Sequence, residues 1–384
     1  MTRKTKIAIG LIAGFFLIAA LPIFRGGGAQ AASGATLLDA GSSVSYDYNS
    51  GAQFYSCDSK NFFFFSKDYV RLYSSKGEQI WSETISLSAP IISSAGKVVA
   101  VSEPKGRAVY VFDETGKLYG VSFEDPVLSF GVNKSAYLSV ILQSGDKYRI
   151  ELYGKDSQRL WYYSFAEANI FPVSVDASSD GGIVAASFLD INIKASRTMA
   201  SRITFLYTSA SESRKYTDGI FAGVEKDDQI ITSVKFMEND KLLAVSDSEI
   251  NCYAPSEETA KNAWSISLHN KIDKFCVYSD KSFSIATGEA MLNDPLAKAP
   301  GSLVFYNMNG SKTGEFALDS RADSLTMSWG CALVGSGRNF WAVTSRGRLL
   351  WKYTAIQDIN SLVFLDSNMA VIAAGSESGR IMKR

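Results

Sequence analysis

The chain has 384 residues, 39 Lys+Arg against 39 Asp+Glu, a single His and four Cys. One His leaves no His pair for a zinc site and one candidate for a Ser-His or Cys-His couple; 46% hydrophobic residues give ample material for a core. The formal charge of zero hides a division: residues 1–32 hold Arg3, Lys4, Lys6, Arg25 and no acid, leaving 35 basic and 39 acidic residues downstream, a net of −4. Such a body lacks the basic footprint that phosphate backbones require, so no nucleic-acid partner is expected.

Ile7 to Phe24, IAIGLIAGFFLIAALPIF, is an uncharged run of eighteen residues. At 1.5 Å per residue it makes about 27 Å of helix, close to the thickness of a bilayer core. Three basic residues precede it and one follows, which orients the N-terminus to the cytoplasm and exports the body. The expected organisation is a cytoplasmic stub (1–6), a transmembrane signal anchor (7–24), a small-residue tether (25–36) and an extracytoplasmic domain (37–384). Cleavage after Ala31, at the A-x-A stretch Ala29-Gln30-Ala31, is the alternative and would make the product secreted. The Gly10/Gly14 spacing allows a weak helix-mediated dimer. No Cys occurs before Cys57, which excludes a lipid anchor on a Cys just after the apolar run.

The body is built on a repeat. Residues 70–85, VRLYSSKGEQIWSETI, read as strand, glycine turn and a second strand carrying Trp81. The pattern returns at 109–123, 149–165, 303–318 and 340–355, at 250–268 with a longer turn, and in degenerate form at 202–220. Alignment places Trp81, Gly120, Trp161, Trp264, Gly314 and Trp351 in register, with a mean period of 45 residues. Two earlier strands complete each unit, as in APIISS and KVVAVSE. That period and strand count predict an all-β propeller of four-stranded blades. Residues 356–384 supply three strands of an eighth unit, and its fourth can come from 35–45, which would pair the loose edge of the last sheet. Eight blades is therefore the preferred count and seven the alternative.

VFDETGKLYG (111–120), LYSSKGEQIW (72–81) and VTSRGRLLW (343–351) resemble the quinoprotein-type propeller repeat, with Asp113 to Lys117 the copy nearest to it. The combination of one N-terminal anchor and an exported, degenerate propeller is similar to an uncharacterised family of membrane-anchored propellers in Gram-positive bacteria. The resemblance implies topology and nothing about ligands. Quinoprotein enzymes hold their cofactor with calcium, clustered acids and stacked Trp. This chain has no adjacent Cys pair, no D-x-[DN]-x-[DN]-G loop and no recognisable acid cluster, so no cofactor, metal or catalytic residue is expected. Non-enzymatic members that act as scaffolds at membranes are the better comparison.

Individual features have ordinary readings. The repeated Trp residues belong to blade-to-blade packing. His269 sits at a connection between blades. Cys57, Cys252, Cys276 and Cys331 lack a compact spacing and read as buried thiols, although Cys252–Cys276 and Cys57–Cys331 bridges are conceivable. Asn133-Lys-Ser135 and Asn309-Gly-Ser311 read as turns rather than glycosylation sites. More telling are two long connections between second and third strands, 190–201 and 288–302, which fall on one face of the disc. They define the candidate partner-binding loops, with Asp190, Lys194, Arg197, Asn293 and Asp294 as polar contacts. The leading expectation is an interaction scaffold at the cell surface, anchored in the membrane and bound to another envelope protein. A ligand- or glycan-binding sensor is the alternative, and a quinone-dependent oxidoreductase is disfavoured. Whether carboxylates meet in the central channel is left open by the sequence.

Overall fold

A computed structural model describes residues 35–36, 38–45, 53–56, 60–192, 198–237, 239–257, 259–278, 282–290, 301–355, 359–366, 369–374 and 378–383. Expectations for the anchor (7–24), for Gly10 and Gly14, for cleavage after Ala31 and for Cys57 lie outside the described residues. No helix among the described residues is long and apolar enough to cross a membrane.

The described strands form eight sheets. Seven are built on four consecutive antiparallel strands, the last of them with a short fifth strand added at its edge: blades 1 (53–84), 2 (91–122), 3 (127–165), 4 (170–227), 5 (231–267), 6 (270–317) and 7 (324–354). The eighth combines the last three strands, Ile359–Asp366, Met369–Ala374 and Ser378–Lys383, with the N-terminal strand Leu38–Ser45, which pairs antiparallel to Ser378–Lys383. The ring is thus closed by its two ends, in the composite way the repeat count predicts. First strands of neighbouring blades pack together around the ring, including Gln53–Ser56 of blade 1 against Ile359–Asp366 of blade 8.

Position within a blade dictates sequence pattern. Second strands are covered on both sides and read as continuous apolar runs. In Asn61–Phe65 four consecutive Phe are buried, and Val98–Ser102 and Leu242–Ser246 are buried throughout. Fourth strands form the outer edge and alternate, as in Gln79–Thr84, Arg159–Phe165 and Lys312–Ala317. Burying the Phe62–Phe65 side chains stabilises the fold by about 2 kcal/mol each, before the cost of ordering them.

Three local features differ from expectation. The ring takes up the chain at Ala35, two residues before the expected boundary, because Ala35–Thr36 pairs parallel to Trp351 and Lys352 of blade 7. The longer turn of the fifth unit is extra strand: its hairpin continues to Ser256 opposite Thr259. The degenerate fourth unit replaces its turn with a one-turn helix, Ala210–Ser213, whose N-cap Ser209 accepts from the Glu212 backbone N–H, followed by a 3-10 turn at Thr217–Gly219. Tyr207, Tyr216 and Phe221 cluster beneath it, with the Tyr207 and Phe221 rings stacked at 4.0 Å.

Candidate functional site

The described ends of the two long connections lie where the strand order places them, on the face that also carries the links between blades. Thr198, at the end of the first, donates from backbone N and Oγ1 to Asp228 Oδ1 in the link from blade 4 to blade 5, at 3.1 and 3.0 Å. At the end of the second, Gly301 accepts from the Leu318 backbone N–H beside the link from blade 6 to blade 7.

Each insertion-bearing blade presents an arginine on this face beside a buried aspartate. In blade 4, Asp190 ends the second strand and its side chain is only 6% exposed. Its Oδ1 accepts from the backbone and side-chain nitrogens of Asn192, at 2.9 and 2.8 Å, which fixes the start of the connection. Its Oδ2 lies 3.9 Å from Arg202 Nη2, and Arg202 Nη1 reaches Glu167 at 4.0 Å. In blade 6, Asp273 is 2% exposed and receives Arg321 Nε and Nη2 at 3.0 and 2.8 Å, together with the Ala322 backbone N–H. Arg321 extends to Glu289, 3.6 Å away, and Glu289 also takes Lys271 at 3.0 Å. The Lys271 ammonium and the Arg321 charge hold the Glu289 carboxyl below its ordinary range. Hydrogen bonding to Asp273 raises the Arg321 guanidinium further, so it stays charged.

Of the five residues singled out from sequence, Asp190 is therefore a positioning group that seats its connection and faces Arg202. Lys194, Arg197, Asn293 and Asp294 lie outside the described residues. Arg202, Asp273, Glu289 and Arg321 were not legible as a group. They are far apart in the chain and carry no motif, and only the return of the chain at the link 318–323 brings Arg321 over Asp273.

The described first strands bear on the question of axial acids. Asp176, in the first strand of blade 4, is fully buried; it accepts from the Phe236 backbone N–H at 2.7 Å and lies 3.4 Å from Lys235 Nζ in blade 5. Lys235 also donates to the Val132 carbonyl of blade 3 at 2.8 Å, so one side chain ties three blades. Gly131 makes the room, since a Cβ there would meet Asp176 Oδ1 at 2.9 Å. Burial pushes the Asp176 carboxyl up and the Lys235 charge opposes this. Asp176 and Asp273 are each matched to a cation, an arrangement suited to holding blades in place rather than to sharing a proton between acids.

The remaining candidates fall into structural places. Trp81 stacks on Phe112 of the next blade at 6.0 Å and donates to the Glu114 carbonyl at 3.1 Å; Trp264 stacks on Phe283 at 6.1 Å and donates to the Met308 carbonyl at 3.1 Å. His269 is exposed at the link into blade 6. Cys252, Cys276 and Cys331 are free thiols, and burial pushes the first two up to about 11. Asn133 is buried and bonds the Ser178 carbonyl of blade 4, while Asn309 lies in an exposed turn.

Comparison with known proteins matches this architecture. A model described as "Family of unknown function (DUF5711)" matches residues 39–383. Among solved structures, BamB from Moraxella catarrhalis superposes with a TM-score of 0.51 at 14% identity, covering 91% of this chain and 100% of that one. A eukaryotic initiation factor gives a TM-score of 0.49 at 14% identity, over 86% of this chain and 85% of that one. BBS1N in complex with ARL6DN gives 0.42 at 12% identity, over 90% and 96%. No curated protein matches. The likeness to BamB is one of fold.

Proposed function

The chain belongs to the DUF5711 family, and from that premise we propose that its propeller is a non-enzymatic interaction scaffold, held at the outer surface of the cell membrane by residues 7–24. The observation that carries the reading is the pair of arginines on the face bearing both insertions, Arg202 beside buried Asp190 and Arg321 hydrogen-bonded to buried Asp273. A guanidinium held from beneath loses little conformational freedom on meeting a partner and presents a directional donor set. The partner this face suits is another envelope protein with acidic and amide groups opposite Arg202 and Arg321, while Lys194, Arg197, Asn293 and Asp294 contribute from the connections themselves.

The test is photocrosslinking in intact cells from position 319, an exposed neighbour that leaves Arg321 in place, and from position 80, which lies on the outer edge of blade 1. The scaffold reading expects one specific neighbour from position 319 that disappears in Asp273→Ala, where Arg321 loses its seat. Equal capture of abundant surface proteins from both positions counts against it. A reporter fused after Arg384 that is active only outside the membrane tests the orientation, and activity confined to the cytoplasm overturns it.

A further inference from the structure

On the face opposite the insertions, a cleft of about 500 Å³ opens between blades 6 and 7. Two aromatic rings line it: Tyr278 from blade 6 and, from blade 7, Trp329, the most exposed large hydrophobic side chain among the described residues at 61%. Ser282, Asn307, Thr313 and Ser345 also line it, so the described lining offers hydroxyl and amide groups and no charge.

Trp329 is in the wrong place for stability. Trp329 and Gly330 are the two central residues of the hairpin joining Ser324–Ser328 to Cys331–Ser336, and both have positive φ, 54° and 67°. That turn favours Asn-Gly, and a bulky residue at its first position costs about 1 kcal/mol in backbone strain. The chain accepts the strain and also leaves the indole in water. The turn itself is firmly set: Ser328 Oγ donates to the Leu365 carbonyl at 3.0 Å, and the Ser345 backbone N–H donates to the Gly330 carbonyl at 2.9 Å. The indole is therefore an exposed platform on a fixed base.

The cleft lies beside a change in the repeat. At the seams following blades 1 and 5, Trp81 and Trp264 lie against the next blade. At the seam following blade 6 the equivalent residue is Gly314. A Cβ there would overlap the backbone of Arg346 and Gly347, so the turn of blade 7 closes on the glycine itself. Thr313 Oγ1 then donates to the Ser345 carbonyl at 2.9 Å, in place of the indole N–H. No indole covers the outer part of this seam, and Asn307, Thr313 and Ser345 border open space.

We propose that this cleft binds a neutral oligosaccharide, with the apolar face of a sugar ring on Trp329 and its hydroxyls toward Asn307, Thr313 and Ser345. Sugar rings pair an apolar C–H face with a rim of hydroxyls, which matches aromatic walls and uncharged polar groups, and the volume falls in the usual range for small-ligand sites. The cleft and the insertion face lie on opposite sides, so the saccharide site and the proposed partner face are independent of each other.

The test is calorimetric titration of the full chain with three probes: tri-N-acetylchitotriose, cellotriose and maltotriose. At least one is expected to bind saturably with Kd of about 1 mM. Trp329→Asn is expected to weaken that probe by about tenfold or more while keeping or raising Tm, because Asn suits the turn. Asn307→Ala is expected to weaken it less. Absence of binding by all three probes at about 10 mM overturns the proposal, as does unchanged affinity in Trp329→Asn. Loss of the partner crosslink from position 319 leaves these outcomes untouched, so the two readings fail separately.

Discussion

The seams on either side of blade 6 are built in opposite ways from the same repeat position. On entering the blade, Trp264 lies between blades 5 and 6, stacked on Phe283 with its N–H on the Met308 carbonyl. Gly310 (φ +77°) leaves space for it, since a Cβ there would meet the indole at 2.6 Å. On leaving the blade, Gly314 replaces the indole and the next turn packs backbone against backbone. One seam is closed by a side chain and the other by main chain, with the Thr313 hydroxyl reaching across to the turn. The difference teaches that a repeat position can change its residue without opening the ring, provided the neighbouring turn moves with it; what changes is the surface left beside it.

The comparison can be broken from the Trp side first. Trp264→Ala is expected to cost about 3 kcal/mol, seen as a lower urea midpoint, whereas Trp264→Phe, which keeps a ring and loses the N–H bond, should cost about 1 kcal/mol. Gly314→Ala is expected to cost about 2 kcal/mol through overlap with the Arg346 backbone. Gly314→Trp, although it restores the repeat, should be worse still in thermal melting; a neutral result would show that the seam is simply a vacant indole slot. Thr313→Val removes the single bond to Ser345 and should lower stability by about 1 kcal/mol.

The smallest effect belongs to the seam between blades 4 and 5, where Lys226 Nζ meets Glu249 at 2.9 Å. Its hydrogen bond to Lys226 holds the Glu249 carboxyl below its ordinary 4.5. A carboxyl depressed in the folded state contributes stability above its unfolded value that is lost as pH falls through the folded one. Partial exposure limits the amount to about 0.5 kcal/mol. Glu249→Gln should therefore lower Tm slightly at pH 7 and flatten the acid limb of the Tm–pH curve below pH 4.5.

Much of the ring was legible in the sequence because its information is local and repeated. The Trp register, the glycine turns and the incomplete eighth unit are periodic, and a period survives degeneration of single copies. The two insertions were legible as departures from that period, and their shared face follows from counting strands. The extra strand length in Glu249–Ser256 and Thr259–Ser267 was read as a turn because polar alternation in an exposed hairpin looks like loop. The candidate site was less legible. Asp190 was identified by its place at an insertion, but its burial and its hold on Asn192 depend on packing.

By itself, the sequence determined the all-β class, the four-stranded unit, the closure of the last sheet by the first strand, and the acidic balance of everything after residue 32. These depend on alternation, turn chemistry and charge, which act within a few residues or add along the chain. The tertiary structure alone decided which charges meet. Asp273 and Arg321 are 48 residues apart, and Lys235 and Val132 are 103 apart. Such pairs are set by the angle between neighbouring blades and by what a glycine leaves empty. The same is true of the Trp329 cleft, since an exposed indole on a strained turn reads in sequence as one more aromatic of a blade.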